Sequence, residues 1–222
     1  MIDDLNKFWR PIDHVLLDMD GTLLDKHFDD HFWQNLVPET YAKKYNLDFR
    51  QAREELLERF KMREGTLEWT DLDFWSNELG LDIPALKYQI EHMINVHPYV
   101  IEFIEFCRKI NKRVYLVTNA HSKTLDIKLS KTALRGRFDK IICSQQIGVA
   151  KEEPAFWERL KKHISYDPAK TMLADDTEEV LISAEQAGLR NLVYVAKPSS
   201  KVAPKKSEQF FSIVYFKELM FR

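Results

Sequence analysis

The chain has little glycine: six residues among 222, where an average composition of about 7% would give about fifteen. No two of the six lie closer than twelve positions apart. A GxGxxG dinucleotide loop and a GxxxxGK[ST] phosphate loop both need closely spaced glycines, because backbone N–H groups must close on the phosphate. The sequence therefore excludes both loops. A site that handles phosphate here must use side chains and a metal.

Cysteine and long apolar stretches are also scarce. Cys107 and Cys143 are the two cysteines, which excludes a disulfide framework and a CxxC metal or redox site, and we expect both thiols to be buried. No stretch free of Asp, Glu, Lys and Arg exceeds ten residues, whereas a membrane helix needs roughly 18 to 20. The acidic, aromatic start does not resemble a signal peptide. We therefore expect a cytoplasmic protein without a membrane partner.

Excess charge of either sign is absent. The chain carries 33 Lys and Arg against 35 Asp and Glu, a formal net charge of −2. Nucleic-acid binding depends on the neutralisation of phosphates by Lys and Arg, so nucleic acid is disfavoured as a partner. A hydrophobic share of 45% and a charged share of 31% are typical of a globular chain with a core. The composition does not fix the oligomeric state, and we expect a monomer or a homodimer.

Five short runs rich in Val, Ile and Leu predict buried strands. They lie at residues 14–18, 113–118, 139–144, 171–174 and 191–196. Strands that are apolar throughout need both faces covered, and helical patterns separate the runs from the second onward. The alternation predicts an α/β fold with a doubly wound parallel sheet.

Residues 26–95 interrupt this alternation. They contain no strand-like run, but they hold eleven aromatic residues and four helical windows, at 30–45, 50–64, 71–80 and 84–95. A small domain needs large side chains to bury enough apolar area. We predict an all-helical domain over 26–95, inserted into a core formed by 1–25 and 96–222. Most of its aromatic residues should be core, and one or two could line a substrate pocket.

Polar side chains follow the predicted strands, where ligands bind in an open parallel sheet. In chain order they are Asp18, Asp20, Thr118, Asn119, Lys151, Asp175 and Asp176. A single Asp there is most often a turn former or a helix cap, but four carboxylates at one edge repel each other unless a cation lies among them. Oxygen ligands without His or Cys suit Mg²⁺, or another divalent cation. A substrate phosphate would then be held by this ion, the Thr118 hydroxyl, the Asn119 backbone N–H and the Lys151 ammonium.

Four motifs carry a resemblance to a known family. They are DMDGT at 18–22, LVTNA at 116–120, GVAKEEPAFW at 148–157 and LADDTEEV at 173–180. Their combination and order resemble the haloacid dehalogenase superfamily of phosphohydrolases, over residues from about 12 to 197. The helical insert resembles the cap that one subfamily carries between its first two motifs. The segments VLLDMDGTLLD, FWQNLVPET, DFWSNELGLDI and TNAH are further similar to the bacterial GMP/IMP nucleotidases of that superfamily.

The resemblance implies removal of phosphate from purine nucleoside 5′-monophosphates (GMP, IMP) through an aspartyl-phosphate. Asp18 would be the nucleophile, and Asp20 would be the general acid and then the general base. The Asp18 and Asp176 carboxylates and the Asp20 backbone carbonyl would hold Mg²⁺. Asp175 is a second candidate ligand. Val180 stands where the family often has another Asp or Asn, so Asp175, Glu178 or Glu179 would complete the set.

Other interpretations remain open at this point. His121, three residues after Thr118, is a possible substrate contact, whereas the other histidines lack metal-ligand spacing. A phosphatase for a sugar phosphate or phosphoglycolate is the first alternative, and stacking on the aromatic residues of the insert slightly favours a nucleobase over it. A dehalogenase would not require an acid at position 20, and the intact site residues disfavour a non-catalytic phosphate-binding module.

Overall fold

A computed structural model describes residues 2–221 of the chain. Within that range one sheet holds six parallel strands in the order β3-β2-β1-β4-β5-β6. The strands are β1 His14–Leu17, β2 Arg113–Thr118, β3 Lys140–Cys143, β4 Thr171–Asp175, β5 Asn191–Val195 and β6 Phe211–Ile213. Five of them lie at the predicted runs. The sequence did not predict β6, which extends the sheet beyond β5.

Helices cover both faces of this sheet. In chain order they are α1 Ile2–Trp9, α2 His27–His31, α3 Val37–Tyr45, α4 Phe49–Lys61, α5 Leu67–Thr70, α6 Leu72–Leu79, α7 Ile83–Gln89, α8 Val100–Lys109, α9 Ser122–Lys131, α10 Ser144–Ile147, α11 Pro154–Leu160 and α12 Glu178–Gln186. In β1, Val15 and Leu17 pack with α8 and α9, while Leu16 packs on the opposite face with α11 and α12. This two-sided burial explains why the strands are apolar throughout. It confirms the doubly wound α/β class.

The segment between β1 and β2 is helical from α2 to α7, with a short π-helical stretch, Phe32–Leu36, joining α2 to α3. Side-chain oxygens at the N-caps accept hydrogen bonds from first-turn N–H groups and so fix where four of these helices begin. The N-caps are Asp48, Thr66, Asp71 and Asp82. The division of the chain at residues 25/26 and 95/96 stays a prediction. At that point the two connections run side by side, because the Asp25 N–H donates to the Asn95 carbonyl at 2.9 Å.

The helical segment packs directly on the sheet half of the chain. Phe28, Phe32 and Trp75 belong to the same buried apolar cluster as Val114 and Leu116 of β2. Both cysteines are buried, as predicted. None of the helices in the described range is long and apolar enough to cross a membrane.

Candidate active site

The register of the sheet brings the predicted polar residues together. Leu17 at the end of β1 pairs with Leu116 of β2 and with Ala174 of β4. The residues that follow these three positions therefore leave the sheet at one edge, which is its carboxyl edge. Asp18, Thr118 and Asp175 emerge there, and all three are buried.

Three carboxylates cluster at this edge. Asp18, Asp175 and Asp176 each offer an oxygen, and these oxygens lie within 4.8 Å of one another. Burial raises the pKa of all three carboxyl groups to about 6, against the attraction of nearby lysines. Burial of ionised carboxylates this close together is unfavourable unless cations balance them. The donor set therefore fits a hard divalent cation. Among the described residues, Glu178 and Glu179 do not join this cluster.

Lys151 lies inside the cluster. Its Nζ donates to an oxygen of Asp18 and, at 2.7 Å, to Asp175 Oδ2. Although burial opposes its charge, the carboxylates of Asp175 and Asp18 raise the pKa of Lys151. The ammonium group is therefore held beside the predicted nucleophile, where the sequence placed a phosphate-binding lysine.

The Asn119 side chain holds the loop that carries Lys151. Its Oδ1 accepts a hydrogen bond from the Lys151 backbone N–H at 3.0 Å, and its Nδ2 donates to both carboxylate oxygens of Glu152, at 2.8 and 3.1 Å. The Glu152 carboxylate, next to Lys151, is thereby held in place by two hydrogen bonds. The sequence pointed only to the Asn119 backbone, so this contribution of its side chain is new.

Asp20 follows Asp18 in a tight turn. The Gly21 N–H donates to the Leu24 carbonyl at 2.8 Å, and Gly21 has a φ of +90°. The Asp20 carboxylate meets the ammonium of Lys128 at 2.5 Å. Burial raises the pKa of Asp20 to about 6, although the charge of Lys128 opposes this shift. The carboxyl group can therefore gain or lose a proton near neutral pH, as a general acid and base requires.

Four charged residues of the site were not found by sequence reasoning. Lys26 Nζ lies 3.2 Å from Asp176 Oδ2. The other three form a series of ion pairs that starts at Asp20: Lys128 pairs with Asp20 and with Asp29, and Asp29 also pairs with Lys87. A signal did exist for two of them. Lys128 stands beside Leu125 and Leu129, and Lys87 beside Ile83, Leu86 and Ile90, each on the apolar stripe of its helix, and a lysine in such a stripe indicates a buried charge.

His121 begins α9 at the boundary with the helical insert. Its Nδ1 accepts a hydrogen bond from the Lys123 N–H at 3.3 Å, and its Nε2 lies 3.7 Å from Asp71 Oδ1. Asp71, Asp73 and His121 also lie close enough together to share an ion, but Asp73 is paired with the Lys123 ammonium at 2.5 Å. His121 lines the cavity described next, where its contact with a substrate stays a prediction.

A cavity of about 440 Å³ separates the carboxyl edge of the sheet from the insert. Its floor contains Asp18, Asp20, Thr118, Asn119, Lys151 and Asp176. Its opposite wall is aromatic: Trp33 lies with ring centroids 5.1 Å from Phe60 and 5.8 Å from Trp69. Polar groups complete that wall, namely Gln34, Lys61, Glu64 and Thr70. The volume is in the range of small-molecule sites, which run from about 300 to 1,000 Å³.

Comparison with known proteins agrees with this geometry. Residues 12–188 match the haloacid dehalogenase-like hydrolase family. The chain is 35% identical over 216 residues to the GMP/IMP nucleotidase YrfG of Escherichia coli, covering 97% of each protein. It is 22% identical over 184 residues to a phosphorylated carbohydrates phosphatase of Thermotoga maritima, covering 80% of this chain and 82% of that one.

Solved structures show the same fold. The crystal structure of a HAD phosphatase from Thermococcus onnurineus superposes with a TM-score of 0.80 at 22% identity, covering 94% of this chain and 96% of that one. The family match spans all four motifs and the carboxyl edge at which their side chains meet. The chain belongs to the haloacid dehalogenase-like hydrolase family.

Proposed function

We propose that the protein is a Mg²⁺-dependent phosphatase that removes phosphate from purine nucleoside 5′-monophosphates such as GMP and IMP, through an aspartyl-phosphate. The observation that carries this proposal is the convergence of Asp18, Asp20, Thr118 and Lys151 beneath a cavity with an aromatic wall. The relative at 35% identity, which is named for GMP and IMP, supports the substrate class.

In the first step the Asp18 carboxylate attacks phosphorus. The bond between phosphorus and the ester oxygen breaks, its electron pair stays on that oxygen, and the oxygen takes the proton of the Asp20 carboxyl group. The raised pKa of Asp20, about 6, supports this role because a fraction of the group stays protonated near neutral pH. The products are the nucleoside and a phosphorylated Asp18.

In the second step a water molecule attacks the same phosphorus. Asp20, now a carboxylate, takes a proton from this water. The bond between phosphorus and the Asp18 oxygen breaks, and its electron pair restores the Asp18 carboxylate. Inorganic phosphate leaves, and the proton on Asp20 is ready for the next turnover.

The transferring group needs donors, because its charge spreads over the equatorial oxygens. Lys151, the Thr118 hydroxyl and the Asn119 backbone N–H are the proposed donors. Thr118 Oγ1 accepts a hydrogen bond from the Ala120 N–H at 3.0 Å, which leaves the hydroxyl proton available for a phosphate oxygen. Asn119 supports Lys151 through its side chain.

The carboxylates of Asp18 and Asp176 and the backbone carbonyl of Asp20 are the proposed Mg²⁺ ligands. Asp175 is the second candidate, although its oxygens already accept hydrogen bonds from Lys151 and the Thr177 N–H. When bound, the ion offsets the negative charge of the phosphoryl oxygens and of the Asp18 carboxylate.

The aromatic wall is the proposed site for the base. Trp33 and Trp69 lie partly exposed in the cavity, and stacking of a base on an aromatic ring contributes about 1 to 3 kcal/mol. His121, at the edge between floor and wall, is a candidate contact for the sugar or base. A phosphorylated sugar is the second candidate substrate, favoured by the polar side chains of Gln34, Lys61 and Glu64 on the same wall.

The test is phosphate release from GMP, IMP, ribose 5-phosphate, glucose 6-phosphate and phosphoglycolate, with Mg²⁺ and with a chelator. We expect GMP and IMP to be hydrolysed fastest, only with the metal, and Asp18→Asn to be inactive. Asp13→Asn is the matched control, since Asp13 is exposed before the amino end of β1. Preference for a sugar phosphate would overturn the nucleotide assignment. Activity in Asp18→Asn would overturn the covalent mechanism.

A further inference from the structure

Four charged side chains form a continuous line from the site into the helical insert. Asp20 contacts Lys128 at 2.5 Å, Lys128 contacts Asp29 at 2.5 Å, and Asp29 contacts Lys87 at 2.9 Å. Lys128 belongs to α9, on the sheet side, whereas Asp29 belongs to α2 and Lys87 to α7 of the insert. The line therefore crosses the boundary between the two parts of the chain.

Both lysines are deeply buried, with side chains 1% exposed at Lys128 and 2% at Lys87. The Lys87 ammonium lies among aromatic rings, 5.0 Å from the centroid of Phe28 and 4.4 Å from that of Phe32. Apolar side chains would fill such positions at least as favourably, because burial of ion pairs rarely adds stability. Folding alone does not account for two lysines here.

The contacts of Asp20 suggest what the line does. Its carboxylate is paired with Lys128, and Lys128 is in turn held by Asp29. Side-chain rotation of Asp20 away from the cavity floor would break the pair with Lys128, and displacement of α2 or α7 would remove the support of Lys128.

We propose that Lys128 is a positioning residue that holds the Asp20 carboxyl group in line with the leaving oxygen, and that Asp29 and Lys87 make this alignment depend on the insert being seated over the site. The inference rests on the proposed function, in which Asp20 passes the proton. Lys128 does not line the cavity, so its proposed role is exerted through Asp20. Replacement of Lys128 should therefore lower activity only in steps that need proton transfer by Asp20.

The test compares two substrates in the variant Lys128→Met. GMP releases an alkoxide, which needs a proton, whereas p-nitrophenyl phosphate releases a stable phenolate, which does not. We expect kcat/KM for GMP to fall about 100-fold or more, and kcat/KM for p-nitrophenyl phosphate to change less than about threefold. A residue with only a structural role would lower both values together.

A second readout follows the water-dependent step. Asp20 must also accept a proton from water, so misalignment should slow hydrolysis of the aspartyl-phosphate. Rapid mixing of Lys128→Met with p-nitrophenyl phosphate should then give a burst of p-nitrophenolate equal to the enzyme concentration, followed by a slower steady rate. Phosphate release should show no such burst.

Three further variants complete the design. Lys128→Arg, which keeps the charge, should restore part of the activity on GMP, and Asp29→Asn should reproduce the substrate-selective loss to a smaller extent. Asp29→Asn also keeps the test open if Lys128→Met does not fold. Lys123→Met is the matched control on the same helix: Lys123 is half exposed and pairs with Asp73 of the insert. Lys123→Met should leave kcat/KM unchanged for both GMP and p-nitrophenyl phosphate.

Equal losses on both substrates in Lys128→Met, or no loss on either, would overturn the inference. Failure of the proposed substrate is distinguishable, because it would appear in the wild-type protein as weak activity on GMP alongside activity on p-nitrophenyl phosphate. Ribose 5-phosphate, which also releases an alkoxide, then replaces GMP in the comparison.

Discussion

The Cα of Gly21 faces the Asp176 carboxylate so closely that a Cβ on residue 21 would lie 2.3 Å from Asp176 Oδ2. Real Cβ atoms do not approach a carboxylate this closely. Together with the φ of +90°, this contact requires glycine at the turn that directly follows the candidate acid, Asp20. The turn and Asp176, the proposed metal ligand, are therefore packed as one unit.

Gly21→Ala should displace Asp176 and weaken metal binding. We expect kcat/KM to fall about 100-fold or more, the scale on which misplaced catalytic groups act. The rise in Tm that we expect Mg²⁺ to produce in the unmodified protein should also be lost. Gly136→Ala is the matched control, since Gly136 has a φ of +78° but a Cβ there would meet no atom of the described residues within 4 Å. It should lower the free energy of unfolding by about 1 kcal/mol and keep full activity. Equal activity in the two variants would contradict the prediction.

Stabilisation by Mg²⁺ should depend on pH. The pKa values of Asp18, Asp175 and Asp176 are raised to about 6, above the value of about 3.9 in an unfolded chain. Between these values the folded protein binds more protons than the unfolded chain, so this contribution to stability falls as pH rises from about 4 through about 6. A metal ion bound at these carboxylates would compete with the protons, because it binds the ionised form.

Differential scanning fluorimetry checks this prediction. The rise in Tm on adding Mg²⁺ should be larger at about pH 7.5 than at about pH 5, because protons occupy the carboxylates at the lower pH. At about pH 7.5, the rise in Tm on adding Mg²⁺ should be smaller in Asp176→Asn than in the unmodified protein. An equal rise at both pH values in the unmodified protein would argue against this carboxylate cluster as the metal site.

Trp69→Ala should separate recognition of the base from phosphate chemistry. Removal of a stacking ring should raise KM for GMP about 5- to 150-fold, the equivalent of about 1 to 3 kcal/mol. KM for ribose 5-phosphate, which has no base, should change little. Tyr88→Ala is the control, since Tyr88 is 54% exposed on α7 and does not line the cavity. If KM for GMP and KM for ribose 5-phosphate rose equally, Trp69 would contribute to the shape of the cavity and not to stacking on the base.

The sequence was sufficient to predict the central strands and their connection, because their apolar runs report burial on both faces. It missed β6, since Phe211–Ile213 is short and becomes a strand only by pairing with β5. The acids and Thr118 were found because they stand at the ends of strands, whereas Lys151, which lies beyond α10, was found through its motif. The order of the strands then brings them to one edge.

The partners of these residues depend on the tertiary structure. Lys128 is 108 positions from Asp20 in the sequence, and no local pattern links the two. The apolar stripe of α9 indicates that Lys128 is buried, but not which carboxylate balances it. Lys26 has no such pattern, because it lies in the connection to the insert and meets Asp176 only through the path of the chain.

Lys151→Met should reveal how strongly the acidic cluster depends on this lysine. Without the ammonium group, Asp18 and Asp175 become unpaired buried carboxylates, and breaking a buried ion pair costs about 3 to 5 kcal/mol of unfolding free energy. We expect a loss of this size at about pH 7.5 in the presence of a chelator, measured by urea denaturation. The loss should be smaller at about pH 5, since the raised pKa values of Asp18 and Asp175, about 6, leave both groups mostly protonated there.

The matched control is Lys170→Met, which removes a lysine from an exposed pair with Asp13 at 3.6 Å. Exposed pairs contribute little, so unfolding free energy should change by less than about 1 kcal/mol at either pH. Phosphatase activity should survive in Lys170→Met and disappear in Lys151→Met, because of these two lysines only Lys151 contacts Asp18, the proposed nucleophile. A pH-independent loss of stability in Lys151→Met would indicate that the lysine contributes through packing of its side chain rather than through its charge.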